Sequence, residues 1–244
     1  MKRFLRVAYL SGLLLTIAPA VRAFEVTPVF DPSFMTAWTA GEHVRFDLEK
    51  RAAEAKRRGI PDRPTASNSQ VSLAYVPTPA FRQQIVQGFV QRLSTKNSAA
   101  SEVIATTFGS GKNDYAQVYH TITKDSGLRQ NDAIDVMSAY MIMGYMIVNN
   151  VQDGRAITVP MAQGVRSQIA PMLTANPQLK NSKIAAQIGE ELKLQSVILH
   201  AGWRSSVQEN NLSNYRQGIA ALFKNQYGID MSRMKLTNQG FVLK

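Results

Sequence analysis

Cysteine is absent from this chain of 244 residues, and histidine occurs only three times. The absence of cysteine excludes a disulfide-stapled domain and a lipoprotein attached through an N-terminal cysteine. His43, His120 and His200 lie far apart, and none has a second histidine at the i+4 spacing of a zinc-protease helix. We therefore expect no metal site and no small-molecule cofactor. We place His120 and His200 on a helix surface or at a hydrogen-bonded edge of the core.

Long apolar runs are also missing, since none reaches the roughly 20 residues that a bilayer core requires. The first 23 residues have the pattern of a secretory signal peptide: a basic segment at residues 1–6, an apolar segment at 7–17 and a small-residue cleavage site at 21–23. We predict cleavage near Ala23, with cleavage after Ala20 and an uncleaved anchor as alternatives. The mature chain would then be periplasmic or secreted by a bacterium, with no transmembrane segment.

Basic residues outnumber acidic ones: the chain contains 28 Lys and Arg and 17 Asp and Glu, which gives a formal net charge of +11. Removal of residues 1–23, which hold four basic and no acidic residues, leaves 24 basic against 17 acidic residues, a formal charge of +7. Such an excess favours association with anionic material such as lipopolysaccharide, cell-wall polymers or nucleic acid.

A cluster of six Lys and Arg residues lies at positions 50–63 within residues 24–66, which we interpret as an extended, partly disordered basic arm that ends in a proline-containing linker. Its candidate polyanion-binding residues are Lys50, Arg51, Lys56, Arg57, Arg58 and Arg63. Several cations on an arm neutralise anions additively and in a salt-sensitive way. No aromatic residues are interleaved for base stacking, which argues against nucleic acid as the partner. The alternative is a solubilising helix and linker with no ligand.

Residues 67–244 are predicted to form one helical domain organised around residues 131–150. Apart from Asp135 and Ser138, every residue from 133 to 148 is apolar, Gly or Tyr, so no polar face remains at the helical period. Such a helix must be enclosed, and it is too short to be enclosed by lipid. We predict an all-α bundle of about six helices around it. Asn131 is the expected N-cap, with Asp135 stabilised at the positive end of the helix dipole.

Apolar periodicity and capping residues predict the other helices. They are expected at residues 80–93, 101–108 and 114–125, from Pro160 with a kink or an end at Pro171, at 183–203 with Ser182 as the cap, and at 211–227 with Gly228 as the C-cap. Residues 71–79 are expected to be extended, because prolines follow closely. The tail is expected to form a short turn and one extended segment.

Three patterns suggest catalysis, and each is incomplete. Residues 108–112 repeat part of a phosphate loop without its first Gly or the hydroxyl after Lys, so we interpret them as a helix-ending loop. Ser232 and Lys235 match only the first element of a penicillin-binding site. Glu190 or Glu191 could be the acid of a cell-wall hydrolase if it lay in an apolar pocket. Because neighbours on a helix point about 100° apart, we expect at most one to face the core, and favour a solvated position or pairing with Lys193 or Lys183.

A set of short patterns occurs along the chain in a characteristic order and spacing. It comprises LAYVPTPAFR at residues 73–82, Gly127-Leu128 with Asn131-Asp132 and Ala139-Tyr140, and Gly228-Ile229-Asp230 with Leu236-Thr237 and Gly240-Phe241. Over about residues 71–242 the chain resembles a family of secreted bacterial helical domains of unknown function. Where those relatives commonly have a tryptophan-rich continuation of the central helix, this chain has Met and Tyr. The resemblance implies a helical fold and an exported location, and it implies no catalytic residue.

The hypothesis that follows is an exported, non-enzymatic binding or interaction module of the bacterial envelope. Its candidate partners are an anionic envelope surface or another protein. One alternative is a cell-wall hydrolase that uses Glu190 or Glu191. A second alternative is a membrane-active protein in which the central helix leaves the bundle.

Overall fold

The computed structural model describes residues 71–111 and 113–244 of the chain. Within these residues it contains seven α-helices and one two-stranded sheet. The helices are α1 (Pro79–Ser94), α2 (Ser98–Ile104), α3 (Tyr115–Thr123), α4 (Ala133–Val148), α5 (Val159–Thr174), α6 (Ser182–Gln208) and α7 (Leu212–Tyr227). The predicted bundle of about six helices around a central helix is confirmed, since the described residues form six α-helices besides α4. The predicted signal peptide and basic arm lie outside the described residues.

The central position of α4 is confirmed. All of its residues are buried except Tyr145 and Met146, which are half-buried. Helices α5, α6 and α7 pack around it. Gly144 lets Phe223 of α7 approach closely, because a Cβ at Gly144 would lie 2.2 Å from Cζ of the Phe223 ring. The Tyr140 and Phe223 rings lie 5.3 Å apart between their centroids, so the apolar surface of α4 is covered by protein side chains.

Several predicted helix ends shift by a few residues. Asp132, not Asn131, caps α4, because its carboxylate accepts from the backbone N–H groups of Ile134 and Asp135. Asn181, not Ser182, caps α6. Helix α5 continues past Pro171 to Thr174, since a proline this close to the C-terminus removes only one hydrogen bond of the helix.

The end of α2 departs from a regular helix. Its chain continues into a π-helical turn, Ala105–Gly109, and Gly111 follows with a φ of 71°, a conformation that favours glycine. The helix-ending loop expected at residues 108–112 is therefore confirmed for its described residues.

The prediction of a single extended segment in the tail is wrong. Strands β1 (Met234–Thr237) and β2 (Gly240–Leu243) pair antiparallel, with Met234 opposite Leu243 and Thr237 opposite Gly240. The hairpin packs on α5, where the side chain of Gln168 accepts from the N–H of Phe241 at 2.7 Å and donates to its carbonyl at 2.8 Å. Each strand has only four residues, so this docking on α5 is what stabilises the pair.

Candidate functional site

The basic cluster predicted to bind polyanions, Lys50, Arg51, Lys56, Arg57, Arg58 and Arg63, lies outside the described residues. Its role therefore stays a prediction. The structure does describe Glu190 and Glu191, the candidate acids, and it also contains a surface cavity on the same helix.

Glu190 and Glu191 are both buried, so the prediction that at most one faces the core is wrong. The reason is that α6 is not a surface helix at this point: α1, α3 and α4 all pack against it, and residues 188–197 are buried without a break. Glu191 accepts from Nη2 of Arg92 on α1 at 2.7 Å. The Glu190 carboxylate lies deeper, with its side chain 0% exposed.

Glu190 is engaged by two donors. Nζ of Lys193, one turn along α6, lies 2.5 Å from its Oε1, and the hydroxyl of Tyr115 donates to its Oε2 at 2.9 Å. Lys193 also donates to Oδ1 of Asn131 at 2.6 Å. The pairing of Glu190 with Lys193 is confirmed, but it occurs in the core and not on a solvated face.

The charges in this region shift the titration of their neighbours. Burial lowers the pKa of Lys193, and the Glu190 carboxylate opposes that change. Burial, and then the charge of Glu190, raise the pKa values of Tyr75 and Tyr115 far above the ordinary value of 10.0. Both phenols therefore stay protonated, and the hydroxyl of Tyr115 donates to Glu190. Nζ of Lys193 also lies 5.3 Å from the centroid of the Tyr75 ring, within the range of a cation–π contact.

A second set of buried charges lies at the start of α4. Asp135 accepts from Nε of Arg166 on α5 and from Nε of Arg129, the latter at 2.6 Å. Asp132 accepts from the hydroxyl of Ser72 at 2.6 Å and from the N–H of Leu73 at 3.1 Å. These contacts join α4, α5 and the extended chain before α1.

The extended chain at residues 71–75 is held by backbone bonds as well. The N–H of Tyr75 donates to the carbonyl of Asn131 at 3.0 Å, and the N–H of Ala133 donates to the carbonyl of Leu73 at 3.1 Å. Nη2 of Arg166 donates to the carbonyl of Val71 at 2.5 Å. We call Asp132, Asp135, Arg166, Glu190 and Lys193 the buried ion cluster. Its geometry is that of a structural clamp, since every member is paired with groups of the same chain.

A cavity of about 280 Å³ opens elsewhere, near the C-terminal end of α6. Its described lining residues are Gln152, His200, Trp203, Arg204, Val207 and Gln208. Five of these belong to α6 at spacings of 3, 1, 3 and 1, which places them on one helix face, and Gln152 comes from the loop after α4. We call this the α6 cavity. Neither Glu190 nor Glu191 lines it.

Two nitrogens of the lining side chains lack partners. In the described part of the chain, the buried atoms Nδ1 of His200 and Nε1 of Trp203 form no hydrogen bond. Both nitrogens are enclosed by neighbouring atoms, and leaving such a group unsatisfied costs about 1–3 kcal/mol. Burial, and then the charge of Arg204, lower the pKa of His200 to about 4, so its imidazole is neutral at pH 7.

The sequence placed His200 correctly on a helix but did not identify the cavity. The spacing of His200, Trp203 and Arg204 at i, i+3 and i+4 could have indicated the cavity, because it places an imidazole, an indole and a guanidinium on one face of a helix. The remaining described lining residue, Gln152, comes from the loop after α4, and no local pattern predicts that this loop lies beside α6.

Other sequence patterns have ordinary structural roles. Ser232 donates to Oδ1 of Asp230 at 2.5 Å in a 3₁₀ turn, and Lys235 lies in β1. His120 is exposed on α3. Across residues 71–111 and 113–244, no group of three or more His, Cys, Asp and Glu side chains is arranged to hold a metal ion.

In the described residues, the fold and site define a helical bundle with a buried ion cluster and an open cavity. Comparisons with protein-family models, with curated proteins and with solved structures find no match to the chain. None of the described helices combines the length and the apolarity needed to cross a membrane.

Proposed function

We propose that the chain is an exported, non-enzymatic helical binding module of the bacterial envelope, whose partners are an anionic surface or another protein. The observation that carries this proposal is the α6 cavity, where the exposed side chains of Arg204 and Gln208 lie beside Trp203 on one face of the helix. Concave sites of this kind, with an aromatic wall and a few polar groups, are typical of binding sites. The export signal, the basic arm and the resemblance to secreted helical domains support the location.

The buried carboxylates favour binding over cell-wall hydrolysis. A general acid must reach the bond that it protonates, whereas Glu190 is fully buried between Lys193 and Tyr115. Glu191 is buried against Arg92. The hydrolase hypothesis would gain support from two results together. The purified protein would release dye from labelled sacculi, and the Glu190→Gln variant, with its fold retained, would release none.

The packing of α4 also supports a binding module over a membrane-active protein, because the helix would have to give up its contacts with α5, α6 and α7 to enter lipid. The test is leakage of anionic vesicles. We expect none, and leakage at micromolar protein would instead support the membrane-active alternative.

The main experiment is co-sedimentation of the mature protein, residues 24–244, with isolated sacculi and with outer-membrane vesicles at low and high salt. A matched variant replaces Lys50, Arg51, Lys56, Arg57, Arg58 and Arg63 with Gln. We expect binding that weakens with salt and weakens further in this variant, because each cation contributes additively. Absence of binding to either surface by the native protein would overturn the envelope-surface proposal and direct the search to protein partners.

A further inference from the structure

The α6 cavity is small enough to restrict its ligand. Binding pockets commonly measure about 300–1,000 Å³, and this cavity, at about 280 Å³, lies at the lower end. Its floor is one face of α6, and Gln152 borders it from the loop after α4. A single small ring fits these dimensions better than a large cofactor or an extended chain.

The charge of the cavity favours a ligand with one negative charge. Arg204 is exposed and is the only formally charged residue among the described lining residues at pH 7, since burial and Arg204 keep the pKa of His200 near 4. A guanidinium presents paired N–H donors that match the two oxygens of a carboxylate. The same cation disfavours a cationic ligand over the aromatic ring of Trp203.

The remaining lining groups suit a ring that carries hydroxyl groups. Trp203, which is 7% exposed, contributes only a small part of its indole, and the exposed side chain of Val207 adds apolar surface against which the C–H face of a sugar can pack. Gln152 and Gln208 have amide groups that both donate and accept, as hydroxyls do.

From these features we propose that the α6 cavity binds a carboxylated monosaccharide, with Arg204 pairing with the carboxylate and Trp203 packing against the ring. The inference rests on the proposed function, because acidic sugars are components of anionic envelope polymers. It adds a ligand class and a site on the bundle that do not depend on the basic arm.

The two tryptophans of the chain, Trp38 and Trp203, allow a direct binding assay. In a mature protein that carries Trp38→Phe, Trp203 is the only tryptophan, and its emission reports on the cavity. We would titrate this protein with glucuronate, glucose and glucose 6-phosphate. We expect a saturable change with glucuronate and an affinity for glucose at least about tenfold weaker, or about 1.4 kcal/mol.

Arg204→Gln is the decisive variant, since Arg204 is exposed and its replacement should leave the fold intact. We expect it to weaken glucuronate binding at least about tenfold while its circular dichroism and its melting temperature stay native. Lys183→Gln is the control, because it removes the same charge from the same helix about 30 Å away along its axis. We expect it to bind as the parent does.

Four results would overturn the proposal. Three of them are no emission change with any sugar, equal affinity for glucose and glucuronate, and equal affinity of the Arg204→Gln variant and its parent. The fourth is a preference for glucose 6-phosphate, which would assign the cavity to phosphate. Failure of this inference is separable from failure of the proposed function. Sacculus binding that persists without any sugar response refutes only the sugar site, whereas glucuronate binding without sacculus or vesicle binding refutes only the envelope-surface role.

Discussion

Replacing Lys193 with Met should destabilise the protein strongly, because it leaves the Glu190 carboxylate unpaired in the core. The two side chains are 2% and 0% exposed and are joined at 2.5 Å. Breaking such a buried pair by removing one partner costs about 3–5 kcal/mol, most of it the cost of an uncompensated buried charge. Met occupies a similar volume and is a good helix former, so cavity and propensity effects stay small. The assay is urea unfolding at pH 7 followed by circular dichroism.

The double variant Glu190→Gln, Lys193→Met supplies the decisive comparison. If the pair interacts as the structure shows, the double variant should be at least about 1–2 kcal/mol more stable than the sum of the single effects predicts. The exposed residue Lys183 on the same helix provides the control, since Lys183→Met should change the free energy of unfolding by less than about 0.5 kcal/mol. Strict additivity, or a Lys193→Met protein as stable as the native one, would refute the reasoning.

Three further predictions test other parts of the fold by urea unfolding. Gly164→Ala should lower the free energy of unfolding by about 1–3 kcal/mol, because its Cβ would lie 2.4 Å from the backbone N of Gly240. The control is Gly154→Ala, whose Cβ meets nothing within 4 Å and which should be nearly neutral. Equal effects of the two variants would contradict the docking of the hairpin on α5. Asp135→Asn should lower the free energy of unfolding by about 3–5 kcal/mol, because it leaves Arg166 buried without its counter-charge. A loss under about 1 kcal/mol would contradict a structural role of the buried ion cluster. For His200, the lowered pKa means that the unfolded chain takes up the proton first as pH falls. The free energy of unfolding should therefore decrease between about pH 6.5 and pH 4, by at most about 3 kcal/mol. His200→Gln should remove the decrease that His200 causes. If the free energy of unfolding of the native protein and of the variant changed with pH in parallel, the prediction would be refuted.

Local sequence patterns predicted the helices well. The stretch from 133 to 148 has no polar face, and α4 is enclosed on all sides as that pattern requires. Gly228 ends α7 in the left-handed conformation, with a φ of 65°, as expected for a glycine C-cap. The N-caps of α4 and α6 were each misplaced by one residue, because adjacent polar residues compete for the same capping role and local sequence does not rank them.

The site was harder to predict because its members come from distant parts of the chain. Glu191 and Arg92 are 99 residues apart, and Glu190 and Tyr115 are 75 apart. The helical period of α6 suggested one solvated face, since it could not show that α1, α3 and α4 all pack against the helix. The short strands of the hairpin escaped detection for the same reason: their docking surface is α5, some 70 residues earlier.

Local patterns along the chain are enough to predict that its described part forms helices and that the most apolar helix lies at the centre, because periodicity, caps and the burial of apolar surface act over short distances along the chain. The sequence also supports export and a basic arm, which stay predictions. The burial of both glutamates in ion pairs, and the open cavity lined by His200, Trp203 and Arg204, became visible in the folded chain alone. Those outcomes depend on which helices cover α6 and on where one loop lies beside it, and packing between distant segments sets both.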